Sequence, residues 1–172
     1  MSGGMSYYTD TRHGVYRLEH PEKYISGAGN PVYKSGWEQS VFVALDSNPY
    51  VLKWGYEPFP IFYVSPATMK SAVYKPDLYC ECATPDGKVR KFLIEIKPSK
   101  YMTAPKIPKP PSPGCTDRAS LDRYARRMTS YKRVSMDVMV NMAKWKAAQD
   151  FCATHGIEWC VMNEKNTPSL FR

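Results

Sequence analysis

The stretch Thr84-Pro85-Asp86-Gly87 constrains this chain more than any other of its length. Proline presets the second position of a type I turn, and glycine accepts the left-handed conformation that follows it. Extended runs flank the turn at 72–84 and 88–97, so it closes a hairpin. In a turn of this type Thr84 pairs with Lys88. Counting outward along both strands places Asp77 directly opposite Glu95. Side chains alternate between faces, so Lys97 shares the face of Glu95. The pairing assumes no bulge between Asp77 and Thr84, because a slip of one residue would turn Asp77 to the other side.

Two carboxylates at cross-strand distance repel each other and weaken a sheet. A divalent cation between them reverses the sign. Hard oxygen donors with open positions suit Mg²⁺ or Mn²⁺ rather than Zn²⁺. Lys97 is placed to orient an attacking water, and such a metal lowers the pKa of that water. Glu38 reaches the same metal if its helix packs over that face. The bland alternative is a solvated ion pair of little energetic weight. Pro-Asp, a tight turn and an apolar run into Glu-Ile-Lys make a rarer combination, which favours a catalytic site.

The rest of the chain frames this hairpin. Residues 1–34 are rich in turn formers and read as an irregular arm anchored by Tyr16, Leu18 and Tyr24. A helix starts near Ser35, with Trp37, Val41, Ala44 and Leu45 at helical spacing. Ser35 and Glu38 form a candidate capping box, and Asn48-Pro49 ends the helix. A further extended run covers 58–64. A basic, proline-rich loop spans 98–115, with prolines at 98, 105, 108, 110, 111 and 113. Two helices are predicted after it. The first is capped at Thr116 or Asp117, ends near Arg133 and buries Leu121, Tyr124, Ala125 and Met128. The second runs over 135–155 and buries Val138, Met142, Trp145, Ala148 and Cys152. Gly156 is the C-terminal cap, and 157–162 is a strand. This order predicts an α/β or α+β domain over 35–165, with a tail at 166–172.

Charge is distributed unevenly. Net charge is +8 over 172 residues, yet residues 1–97 carry only +1 and residues 98–172 carry +7. The near-neutral part can hold an acidic site. The basic part suggests a polyanionic partner. Lys100, Lys106, Lys109, Arg118, Arg123, Arg126, Arg127, Lys132 and Arg133 are the candidate phosphate contacts. Nothing there reads bases, so a nucleic acid would be bound by its structure or ends rather than its sequence. Tyr101 is the candidate stacking residue, whereas Trp54, Trp145 and Trp159 read as core. His13, His20 and His155 lack ligand spacing. The odd count of five cysteines predicts free thiols in a reducing compartment. Cys80 and Cys82 are expected on the hairpin face opposite Asp77. The first residues lack the basic start and apolar stretch of a signal peptide, and no run is long enough for a bilayer. The expected location is therefore neither secreted nor in a membrane.

Pro76-Asp77 followed by Glu95-Ile96-Lys97 on paired strands resembles the PD-(D/E)XK nuclease superfamily. Tyr33-Lys34-Ser35-Gly36-Trp37-Glu38, Val51-Leu52-Lys53-Trp54, Ile94 to Pro98 and Lys144 to Ala148 extend the likeness. In that order they resemble the head completion nucleases of T-even-like tailed phages. Endonuclease subunits of certain transposases are similar over the same core. The resemblance implies an α/β restriction-endonuclease-like core, with a central mixed sheet flanked by helices. It implies Asp77 and Glu95 as metal ligands, Lys97 as the catalytic lysine and Glu38 as an accessory ligand or orienting acid. The implied reaction is Mg²⁺- or Mn²⁺-dependent hydrolysis of a DNA phosphodiester. Implied partners are DNA, portal or neck proteins, and a second copy of the chain. A nuclease-like structural protein of the head vertex, and an endonuclease of transposition or repair, are the competing readings.

Overall fold

A computed structural model describes residues 13–163. Its centre is a four-stranded sheet in the order β3-β6-β7-β8, built from β3 (Val51–Tyr56), β6 (Leu78–Ala83), β7 (Val89–Ile96) and β8 (Glu158–Met162). The first three strands are antiparallel, and β8 joins β7 in parallel. Two short pairs lie outside this sheet: β1 (Gly14–Val15) with β2 (Val32–Tyr33), and β4 (Ile61–Ser65) with β5 (Lys70–Tyr74). Helix α1 (Gly36–Ser47) and helix α2 (Arg118–His155) complete the fold. It is a restriction-endonuclease-like α/β architecture.

The sheet is buried on both faces. Val41, Phe42 and Leu45 of α1 pack with Trp54, Leu78, Cys80 and Ile94 on one side. On the other, Ala148 and Cys152 of α2 pack with Ile61, Tyr74, Tyr79 and Leu93. This explains why β6 opens with the continuous run Leu78-Tyr79-Cys80 instead of alternating. Cys80 and Cys82 lie in the α1-side core, as expected from the hairpin. All five cysteines are free thiols.

Three features differ from the sequence reading. The run 72–84 is two strands, because β5 ends at Tyr74 and β6 begins only after Lys75-Pro76-Asp77. Strand β3 had no clear signal, since Gly55 interrupts it. That glycine is required: a Cβ there would collide with Ser26 Oγ, because Ile25 donates its N–H to the Trp54 carbonyl at 2.9 Å. The third difference is the largest. Residues 118–155 form one helix of 38 residues, not two. Nothing between the Asp117 cap and Gly156 can end it, since the segment holds neither glycine nor proline. Its first half leaves the core. Leu121 is exposed, and Met142 is 61% exposed, so neither belongs to a buried stripe.

The arm before α1 is held by one buried carboxylate. Asp46 accepts hydrogen bonds from the Tyr16 hydroxyl at 3.0 Å, from Glu19 N–H at 2.7 Å and from His20 N–H at 3.4 Å. Lys23 closes the same corner by donating to the carbonyls of Asp46 and Asn48. These contacts seat Tyr16 against Phe42 and Trp54. Among the described residues no helix is long and apolar enough to cross a membrane.

Candidate active site

The hairpin register is the one the turn dictates. Thr84 N–H donates to Lys88 O and Gly87 N–H to Thr84 O, each at 2.9 Å, with Gly87 at φ +79°. Ala83 pairs with Val89 and Leu78 with Ile94, without a bulge between them. One step further outward brings Asp77 against Glu95. Asp77 Oδ2 accepts the Ile96 N–H at 2.7 Å, which ties the carboxylate to the edge of β7.

Glu95 is buried, with 6% of its surface exposed. Its two oxygens have different partners. Oε2 accepts the Tyr74 hydroxyl at 2.5 Å, and Oε1 lies 3.7 Å from Lys97 Nζ. Burial and the charge of Glu95 push the Asp77 carboxyl well above the usual carboxylate range, against the pull of Ile96 N–H and Lys97. The Tyr74 hydroxyl is raised by burial and by the charge of Glu95. Lys97 is the exit from this enclosed group, with 27% of its side chain exposed. Beside it a groove of about 460 Å³ runs under α2, lined by Tyr101, Arg133, Val138, Asn141 and Lys144.

Glu38 stands at the start of α1. Its N–H donates to Ser35 Oγ at 3.2 Å, and its carboxylate accepts the Lys34 N–H at 2.5 Å. The return bond therefore goes to the residue before the cap. Burial raises its carboxyl, with Lys34 opposing and Glu57 adding to the effect. Helix α1 covers the sheet face away from Asp77 and Glu95, but the charge of Glu38 still contributes to raising Asp77.

Tyr74 and Lys144 gave no signal as site residues in the sequence. Tyr74 precedes Pro76-Asp77 on β5, yet it reaches across to Glu95. Lys144 stacks its ammonium 5.6 Å above the Tyr74 ring and 5.9 Å above that of Tyr63. Its spacing on α2 is that of an ordinary solvated lysine, so only the fold reveals where it sits.

The donor set can be tested against a cation. Among the described residues, no three His, Cys, Asp or Glu side chains converge to hold a metal alone. Mg²⁺ does not require such a cage: it is commonly held by one or two carboxylates plus water and substrate phosphate. Asp77 Oδ1 and Glu95 Oε1 are the oxygens that would serve, their sister oxygens being taken by Ile96 and Tyr74. Burial is the main cause that raises Asp77, and the Glu95 charge that adds to it is the repulsion such an ion would relieve. The residues fit the group.

The candidate DNA contacts lie along the loop and the first half of α2. Lys106, Lys109, Arg118, Arg123, Arg126, Arg127, Lys132 and Arg133 are all exposed, and the side chain of Lys100 lies outside the described residues. Arg133 pairs with Asp137 at 3.7 Å. Tyr101 is 47% exposed.

Comparison with known proteins agrees with this geometry. Residues 48–164, which hold the whole four-stranded sheet and α2, match the family described as TnsA-like endonuclease N terminal. The head completion nuclease of Enterobacteria phage T4 is 31% identical over 157 residues, covering 91% of this chain and 94% of that protein. The chain belongs to the TnsA-like endonucleases, a family of PD-(D/E)XK type.

Proposed function

We propose that the chain is a divalent-metal-dependent DNA endonuclease acting in completion of the phage head, with Asp77, Glu95 and Lys97 as its catalytic centre. The observation that carries this reading is the meeting of two carboxylates, Asp77 one residue before β6 and Glu95 on β7, with a partly exposed lysine 3.7 Å from Glu95. Mg²⁺ or Mn²⁺ held by Asp77 and Glu95 would supply an activated water and offset charge on the phosphate. Tyr74 fixes one oxygen of Glu95 and so directs the other toward Lys97. Lys97 holds the attacking water or a phosphate oxygen by hydrogen bonding, at the mouth of the groove. Glu38 serves as an accessory acid. Its charge adds to the negative surroundings of Asp77.

The likeness over nearly the full length of a head completion nuclease supports that pathway. Portal or neck proteins and a second copy of the chain are the proposed protein partners. A virion or the host cytoplasm is the proposed location. An endonuclease of transposition is the second reading, favoured by the family match over residues 48–164.

The test is cleavage of linear, nicked, single-stranded and branched DNA with Mg²⁺, with Mn²⁺ or with a chelator, beside Asp77→Ala and Lys97→Ala. The wild type is expected to cut at least one substrate with metal only. Each variant should be at least about 100-fold slower, the scale of a lost acid–base group. Equal activity, or equal inertness, of all three proteins on every substrate overturns the catalytic reading.

A further inference from the structure

A second cavity lies far from Asp77 and Glu95. It is an open concavity of about 320 Å³ where the proline-rich loop meets the first turns of α2. Lys109 lines it from the loop, and Arg123 and Arg127 line it from the helix, with Ser112 and Ser120 beside them. Arg123 and Arg127 are one helical turn apart and point the same way. No carboxylate lines the cavity. The Asp117 carboxylate at the start of α2 is near enough to feel Arg123, but it does not line the cavity, so three cations share it with no carboxylate among its walls. Cationic walls with hydroxyl donors match phosphate oxygens, not an apolar ligand.

Its distance from the active site is set by α2. Lys144, whose ammonium covers Tyr74, follows Arg127 by 17 residues and Arg123 by 21 within one unbroken helix. At about 1.5 Å per residue this is roughly 26–32 Å. The periodicity leaves Arg123, Arg127, Asn141 and Lys144 on one side of the helix. A strand of duplex DNA covers that distance in about 8–9 base pairs, at about 3.4 Å each. A rigid separation on the protein rewards a ligand that is itself rigid over the same span, because both contacts then form without further ordering. Duplex DNA meets that condition and single-stranded DNA does not.

We propose that this cavity binds a backbone phosphate of a duplex arm lying along α2, about 8–9 base pairs from the scissile bond. The protein thereby requires a double-stranded arm of that length on one side of its cut. The inference rests on the nuclease reading for the position of the scissile bond, and the experiment separates the two.

Substrates carry nested duplex arms of about 4–16 base pairs on either side of the mapped cut. Their kcat/KM values are compared for wild type and a Lys109→Ala, Arg123→Ala, Arg127→Ala variant. The wild type is expected to gain about tenfold or more as one arm grows from about 6 to about 10 base pairs, then to level off. The triple variant is expected to lose that step. A wild type indifferent to arm length on both sides overturns the proposal, as does a variant that keeps the step. If the wild type cuts nothing, the same duplexes are titrated by fluorescence anisotropy. A rise in affinity at the same arm length, absent from the variant, supports the second site although the nuclease reading fails. No such rise overturns it.

Discussion

The Tyr74 hydroxyl donates a hydrogen bond to Glu95 Oε2 at 2.5 Å inside the core between β5 and β7. A buried carboxylate bonded in this way has one oxygen fixed and one free to turn toward Lys97. Tyr74→Phe keeps the ring and removes the bond. It is expected to cost about 1.5–3 kcal/mol of stability in urea unfolding, the range for a hydrogen bond to a charged group. It should also raise the Mg²⁺ or Mn²⁺ concentration at half-maximal binding, measured calorimetrically, while KM for DNA stays the same. A variant whose metal affinity is unaltered would show that Tyr74 packs without positioning Glu95.

Asp77 gives a pH dependence with a definite sign. Its carboxyl is raised in the folded chain, so the folded state holds that proton more tightly than the unfolded state. Metal-free stability from this group is therefore greatest below the ordinary carboxylate range and is lost as pH rises through the raised value. Asp77→Asn removes the loss. In the presence of a chelator the variant is expected to melt above wild type at about pH 8, with the difference shrinking toward about pH 4. Mg²⁺ should then raise the Tm of wild type and leave that of the variant unmoved. A variant that melts lower than wild type at the alkaline end would contradict the assignment.

Asp46 is expected to be the most sensitive polar residue outside the site. Asp46→Ala strands the Tyr16 hydroxyl and two backbone N–H groups in a part-buried corner. The expected loss is about 2–4 kcal/mol, since each abandoned donor costs on the order of 1 kcal/mol or more. Tyr16→Phe removes a single bond there and should cost about 1 kcal/mol. Chemical denaturation measures both. Equal losses would mean that the backbone hydrogen bonds carry no weight.

Neutralising Arg123, Arg126 and Arg127 together tests the charged half of α2. A cation that neutralises one phosphate adds about 0.9 to the slope of log affinity against log salt, so removing all three should flatten the slope by about 2–3. An unchanged slope with full-length duplex would exclude this surface from the DNA path.

The sequence disclosed more of the site than of the frame around it. Proline and glycine at the Thr84–Gly87 turn fix register locally, so the meeting of Asp77 and Glu95 follows from four residues and strand alternation. Ser35 as a cap and Gly156 as a left-handed terminus are local in the same sense. Tyr74 and Lys144 are illegible there because their roles depend on contacts between β5, β7 and α2, far apart in the chain. The unbroken length of α2 is hidden for a related reason. The apolar pattern shifts near Val134, which suggests a boundary, but backbone hydrogen bonding ignores which face is buried and stops only at Gly156. Exposed Met142 shows that a well-spaced methionine need not mark a core.

One property of α2 joins the two ends of the molecule mechanically. Its last turns are clamped to the sheet by Ala148 and Cys152, while its first turns stand clear of the core. A rod held at one end is a lever. One helix thus carries Arg123 toward its free end and, near its clamped end, Lys144 over the ring of Tyr74, whose hydroxyl bonds Glu95. With no glycine or proline to interrupt it, the helix sets the spacing between its basic end and Lys144.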